Sequence, residues 1–308
     1  MEQDREQARQ VDAIRRLARE HDALILAHNY QRDEIQALAD ITGDSLALSI
    51  EAARTDKKVI VFCGVHFMAE SAAVLAPDKI VLLPNPEAGC PMADMVTAEG
   101  VQAMRSKYPG APVVAYVNTS AAVKAVSDIC CTSANAVQVV RSLPEKEVIL
   151  IPDRNLGQFI ASQVDKLCHL WPGYCPIHDE LLAKQVAICR SAHPQALCLA
   201  HPECHPDVLS QADKILSTGG MLDYVRKSCH PQFIIATERG ILFKLQEENP
   251  DKEFIFPDYE FICHDMKRVT LDHVQRCLET LQPRITVPEE VSRGARQALE
   301  KMLAIPRD

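Results

Sequence analysis

One unit is written into this chain three times. Cysteines stand at positions 90, 175 and 263, 85 and then 88 residues apart, and other marks move in step with them. Each copy opens on an apolar run with a polar end: residues 24–27 before His28-Asn29-Tyr30, 113–115 before Tyr116-Val117-Asn118, and 197–200 before His201-Pro202-Glu203. An acid followed by hydroxyls comes next: Asp40 with Ser45, Asp128 with Ser133, and Asp213 with Ser217 and Thr218. A third mark is a strand-like run ending in polar or small residues, at 59–64, 148–153 and 233–238. Solenoids repeat every ~20 to 50 residues, so a period this long describes a small domain copied twice. The expected division is an N-terminal helix at 1–21, α/β repeats at 22–109, 110–194 and 195–282, and a helical tail at 283–308.

Within each copy, Val/Ile/Leu runs of four or five residues alternate with segments of helical period, the pattern of parallel strands joined by crossover helices. The fold class is therefore α/β: three pseudo-symmetric α/β/α domains with parallel sheets around a central active site. Strands are expected at 59–62 and 80–83, and helices at 45–53, 67–75, 95–106, 180–191 and 271–281. The repeated cysteines then fall in loops after strands, where open α/β sheets bind their ligands. The amphipathic stretches 1–20 and 287–303 lie outside the triplication and are read as covering helices without chemistry.

A chain of 308 residues with 47% hydrophobic content can bury an ample core, and a formal charge of -9 argues against broad binding to nucleic acid or anionic membrane. No apolar stretch approaches the ~18 to 20 residues of a membrane span, and the polar start lacks the core of a signal peptide. A cytoplasmic protein is expected. Twelve cysteines in a chain of this length point to metal binding rather than a disulfide framework.

Three thiolates from three repeats make an incomplete tetrahedral set with one metal position open. A zinc ion and a 4Fe-4S cluster with one unligated iron both satisfy it, and spacing does not choose between them. No CxxC pair occurs. Cys63, Cys189, Cys198 and Cys277 sit in apolar patterns and are read as packing. Cys130, Cys131, Cys168, Cys204 and Cys229 have no register partner in both other repeats.

The motifs Ala27-His28-Asn29-Tyr30, Gly43-Asp44-Ser45, Cys63-Gly64-Val65-His66-Phe67-Met68-Ala69-Glu70, Gly89-Cys90, Tyr116-Val117-Asn118-Thr119, Pro152-Asp153-Arg154-Asn155, Gly173-Tyr174-Cys175 with His178, His201-Pro202-Glu203-Cys204 and Ala236-Thr237-Glu238 occur in this order. Together they resemble the quinolinate synthase family, iron-sulfur enzymes of NAD biosynthesis, over nearly the whole chain. The resemblance implies a 4Fe-4S cluster held by Cys90, Cys175 and Cys263. It implies condensation of iminoaspartate with dihydroxyacetone phosphate to quinolinate, phosphate and water, and functional coupling to an enzyme that makes iminoaspartate. Some relatives carry CxxCxxC at the third site, whereas this chain has the single Cys263 there.

The family's active-site positions carry over to His28, Tyr30, Tyr116, Asn118, His178, His201 and Glu203. Glu203 is expected as general acid or base, with Tyr30, His201 and Tyr116 assisting. Ser45, Ser133, Ser217 and Thr218 precede expected helices and match substrate contacts, because hydroxyls and free N–H groups at helix starts bind anions. Arg154 and Arg239 are read as structural links between domains. A zinc-dependent lyase or hydrolase on the same thiolates is the alternative. A nucleotide module is opposed by the lack of GxGxxG and GxxxxGK[ST], and an iron-sulfur sensor by the negative charge and the absence of a DNA-reading element.

Overall fold

Strands apolar on both faces belong in parallel sheets covered on both sides, and the computed structural model, which describes residues 2–307, holds three such sheets. The first contains β1 (Ala23–His28), β2 (Ile41–Gly43), β3 (Val59–Cys63) and β4 (Ile80–Leu82). The second contains β5 (Val113–Tyr116), β6 (Ile129–Cys131), β7 (Glu147–Ile151) and β8 (Leu167–Leu170). The third contains β9 (Leu197–Ala200), β10 (Lys214–Ile215), β11 (Gln232–Ala236) and β12 (Glu253–Ile255).

The three sheets share one order, β2-β1-β3-β4 and its equivalents, and every neighbouring pair is parallel. Ala23 lies opposite Val59, Val113 opposite Ile149 and Leu197 opposite Phe233, a separation of 36 residues each time. The threefold pattern of the sequence is thus a pattern of strand register.

The repeated aspartates explain part of that register. Asp40 Oδ2 accepts from Ile25 N at 2.8 Å, Asp128 Oδ2 from Val113 N at 2.7 Å, and Asp213 Oδ2 from Cys198 N at 2.7 Å. Each also pairs with an arginine, Arg15, Arg105 and Arg190 respectively. These acids tie down the amino ends of β1, β5 and β9, away from the carboxyl ends where ligands bind, so the second mark of the repeat is partly architectural.

Some helix boundaries move. The first cysteine loop is followed by a 3-10 turn, Ala93–Met95, and the helix begins only at Ala98, where Thr97 Oγ1 caps it by accepting from Gly100 N. The helix expected from residue 180 is Ala183–Ala192, preceded by the separate short helix Pro176–Asp179. Leu281 leaves Leu271–Thr280 in a left-handed conformation with φ 51°. Helix Glu2–Glu20 buries Ile14 against Val274 and Leu278; Met1, included in the expected helix, lies outside the described residues. Helix Glu289–Leu303 buries Ala295, Ala298, Leu299 and Met302 against Ala121–Ala125, β6 and His66–Leu75, joining structure from the first two repeats. Gly294 permits this close approach, because a Cβ there would meet Ala125 O at 2.6 Å. Among the described residues, no helix is long and apolar enough to cross a membrane.

Candidate active site

A sheet ordered 2-1-3-4 reverses direction of winding between its first and third strands, and a crevice opens at their carboxyl ends. There the chain places His28 and Tyr30 after β1, Tyr116 and Asn118 after β5, and His201 and Glu203 after β9. His28, Tyr116 and His201 occupy one register position, and Tyr30, Asn118 and Glu203 another, with steps of 88 and 85. All six line one cavity, together with Ser45, Ser133, His178, Thr218 and the cysteines Cys90, Cys175 and Cys263.

The three thiols are close enough to influence one another. Burial raises the pKa of each, Cys263 to about 11, and the charges of Glu203, Cys90, Asp153 and Cys263 push Cys175 further up. Backbone N–H groups of Met92 and Ala93 oppose this rise at Cys90, and that of Met266 opposes it at Cys263, in the turns that follow each cysteine. Two acids hold the loops: Asp153 Oδ2 accepts from Cys175 N at 3.2 Å and Glu238 Oε1 from Cys263 N at 3.1 Å. Asp153 and Glu238 stand in register, 85 residues apart, and the same position in the first repeat is Val65. The repeat offset itself carries this signal, since Asp153 and Glu238 each stand directly before the arginines Arg154 and Arg239.

Those arginines are structural, but each works inside its own repeat rather than between domains. Arg154 Nη2 donates to both carboxylate oxygens of Asp179 at 2.9 Å, and Arg239 donates to the carbonyls of Glu260 and Tyr259.

A buried chain of hydrogen bonds crosses the site. Tyr30 Oη meets Thr237 Oγ1 at 2.5 Å, Thr237 Oγ1 meets His178 Nε2 at 2.9 Å, and His178 Nδ1 meets Glu203 Oε2 at 2.8 Å. Tyr116 Oη donates to Glu203 Oε1 at 2.6 Å. Since a carboxylate only accepts, Nδ1 of His178 carries the proton and Nε2 accepts from Thr237, which leaves Tyr30 to donate to Thr237. Thr237 is fully buried and had no hydroxyl counterpart in the other repeats to draw attention to it.

The electrostatics follow the same geometry. Burial opposes charge on Glu203, but His201, His178 and the Tyr116 hydroxyl hold its carboxyl well below the ordinary range. Asp153 goes the other way, pushed well up by burial and by the charge of Glu203. His28 and His201 are kept neutral by burial, with pKa values lowered to about 4 and about 3. The Nδ1 atoms of both accept from the backbone, from Tyr30 N and Glu203 N. The remaining proton of His201 therefore sits on Nε2 and donates to Ser133 Oγ at 3.2 Å.

Register also sorts the hydroxyls. Asp44, Thr132 and Ser217 are equivalent, as are Ser45, Ser133 and Thr218. Asp44 and Ser217 cap helices by accepting from Ala47 N and Gly220 N, so Ser217 serves the helix and borders a neighbouring groove. Ser45, Ser133 and Thr218 face the cavity. Asn118 Oδ1 is buried without a hydrogen-bond partner, a feature that a ligand donor satisfies.

Among the described residues, Cys175, His178 and Glu203 bring possible metal-ligand atoms within 4.8 Å of one another. Their mutual bonds already account for this closeness, since His178 Nδ1 lies 3.3 Å from Cys175 Sγ and donates to Glu203.

Residues 12–304 match the family model described as Quinolinate synthetase A protein. A quinolinate synthase of Geobacter metallireducens is 60% identical over 295 residues, covering 96% of this chain and 97% of the relative. A quinolinate synthase of Geotalea uraniireducens is 58% identical with the same coverage, and one of Methanoregula boonei is 52% identical over 294 residues, 96% of this chain and 97% of its own. The chain belongs to the Quinolinate synthetase A protein family.

Proposed function

We propose that this cavity condenses iminoaspartate with dihydroxyacetone phosphate to quinolinate, releasing phosphate and water, with a 4Fe-4S cluster held by Cys90, Cys175 and Cys263. The observation that carries the reading is that three partly buried cysteines, one from each repeat, line one cavity with three repeated pairs of polar residues. The donor set suits such a group. Burial disfavours bare thiolates, and backbone N–H groups after Cys90 and Cys263 that favour the charged sulfur suit metal-bound sulfur. When bound through three cysteines, the cluster supplies a Lewis-acidic iron toward the cavity. A zinc-dependent lyase or hydrolase has no support in the family to which the chain belongs.

The protein's own groups bind and move protons. Ser45, Ser133 and Thr218 anchor carboxylate or phosphate oxygens, and Asn118 Oδ1 accepts from a substrate N–H or O–H. A substrate proton taken up at Tyr30 Oη passes by successive transfers through Thr237 and His178 to Glu203, the ionised base. The proton gained by Glu203 returns through Tyr116 Oη to a departing hydroxyl: Tyr116 gives its own proton and is replenished by Glu203. The reading includes functional coupling to an enzyme that makes iminoaspartate, and the reaction suits a reducing cytoplasm, where free thiols persist.

Anaerobic incubation of cluster-loaded protein with aspartate oxidase, aspartate and dihydroxyacetone phosphate is expected to give quinolinate by chromatography. No quinolinate in the presence of an intact cluster and active oxidase overturns the assignment.

A further inference from the structure

The cavity that this reading gives to a dicarboxylate has an acidic wall. Asp44, Glu203 and Glu238 line it, whereas no lysine or arginine is among its lining residues. Glu238 is compensated from behind by Lys267, 2.9 Å from Oε1. Asp44 has a different partner, brought from the far end of the chain.

After helix Glu289–Leu303, Asn135 Nδ2 holds the tail by donating to the carbonyls of Met302 and Ile305, both at 3.3 Å. Two residues later Arg307 forks onto Asp44, Nη1 to Oδ2 at 2.6 Å and Nη2 to Oδ1 at 2.9 Å. The pair is bidentate, the geometry that guanidinium forms best. The Asp44 side chain is 7% exposed and Arg307 38%, so the charge facing the cavity is neutralised from the solvent side. Burial favours a neutral Asp44, but the bonds and charge of Arg307 overrule it and keep the carboxylate ionised. The fork is also fitted to its neighbours: a Cβ on Gly219 would run into Asp44 Oδ2 and lie 2.9 Å from Arg307 Nη1. Asp44 thus sits between the first turns of helices Ser45–Arg54 and Thr218–Lys227, beside the hydroxyls of Ser45 and Thr218.

We propose that Arg307 is a specificity-determining residue that admits dicarboxylates to the cavity by cancelling the charge of Asp44 from outside the wall. The proposal rests on the reading of the cavity as the dicarboxylate site. Without Arg307, the charge that Asp44 retains at neutral pH, where the N–H of Ala47 still favours the carboxylate, faces the incoming carboxylates across a confined space, where like charges repel strongly. Asparagine at position 44 keeps the helix cap and removes the charge, which separates electrostatic compensation from a merely structural clasp.

The test is anaerobic calorimetry of quinolinate binding to the full-length, cluster-loaded protein and its R307Q, R307K, D44N and D44N/R307Q variants. R307Q is expected to weaken binding about ten-fold or more, with R307K in between. D44N/R307Q should return to within about three-fold of the starting protein. A neutral analogue, pyridine-2,3-dicarboxamide, should lose little affinity in R307Q. Unchanged quinolinate affinity in R307Q, or a double variant as weak as R307Q, overturns the role of Arg307 alone. Failure of the unsubstituted protein to bind quinolinate overturns the reading of the cavity and the proposal with it.

Discussion

The backbone N–H of Cys263 donates to Glu238 Oε1 at 3.1 Å, so a buried acid at a strand end sets the path of the loop that carries the third thiol. Its other oxygen accepts from Gly240 N at 2.6 Å, and Lys267 completes the pairing. Glu238→Leu removes all three acceptor roles and leaves the Lys267 ammonium bonded to the Tyr30 carbonyl but without a counter-charge, a loss of about 3 kcal/mol by the usual cost of breaking such a pair. We expect a lower denaturation midpoint and iron content reduced several-fold, with Glu238→Gln intermediate because its amide keeps one acceptor oxygen. Iron content equal to that of the unsubstituted protein in Glu238→Leu contradicts the anchoring role.

Glu203 receives two hydrogen bonds and stands at the end of the relay from Tyr30. Glu203→Gln is expected to retain the visible absorption of the cluster while turnover falls by about 10²- to 10⁴-fold, the range of a lost general base. Tyr116→Phe should preserve the cavity and lower turnover less severely. Quinolinate formation by Glu203→Gln at the original rate removes this residue from the proton path.

Cys263→Ser tests the ligand set. A hydroxyl in place of the thiolate weakens iron ligation, so the variant should show the far-ultraviolet circular dichroism of the unsubstituted protein, little cluster absorption and no product. A fully loaded and active Cys263→Ser protein excludes Cys263 as a ligand.

Stability should fall as pH drops below neutrality. His28 and His201 stay neutral in the fold down to about pH 4 and about pH 3, whereas their ordinary value is 6.5. Between these limits the unfolded chain binds protons that the folded chain refuses, so stability rises with pH and is lost as pH is lowered from about 6.5. At pH 5.5 the loss is about 1 kcal/mol per histidine. Urea unfolding at pH 7.5 and 5.5 measures it, and His28→Gln should flatten the dependence. An unchanged pH dependence in His28→Gln assigns it to other groups.

Asp128 accepts from Val113 N and from Arg105 at the amino end of the second sheet. Asp128→Ala strips a buried strand end of its acceptor and should cost about 1–3 kcal/mol. Because this position lies at the end of the sheet away from the cavity, KM should stay unchanged; a change in KM with unaltered stability would contradict an architectural role.

What the amino-acid order alone determined was the repeat and its consequences. Apolar runs without polar alternation specify buried parallel strands, and offsets of 88 and 85 put Cys90, Cys175 and Cys263, and the polar pairs after β1, β5 and β9, at equivalent strand ends. These features are local, or periodic in register, so they are legible along a line. Tertiary packing decided the pairings: Asp153 with Cys175, Thr237 between Tyr30 and His178, Arg154 with Asp179, and Arg307 with Asp44 across 263 positions. A residue type declares what it can donate or accept, but its partner depends on rotamer and on which elements pack together. For the same reason Ser217 and Thr218, adjacent in the chain, divide into a helix cap and a cavity wall only once the helix sets their directions.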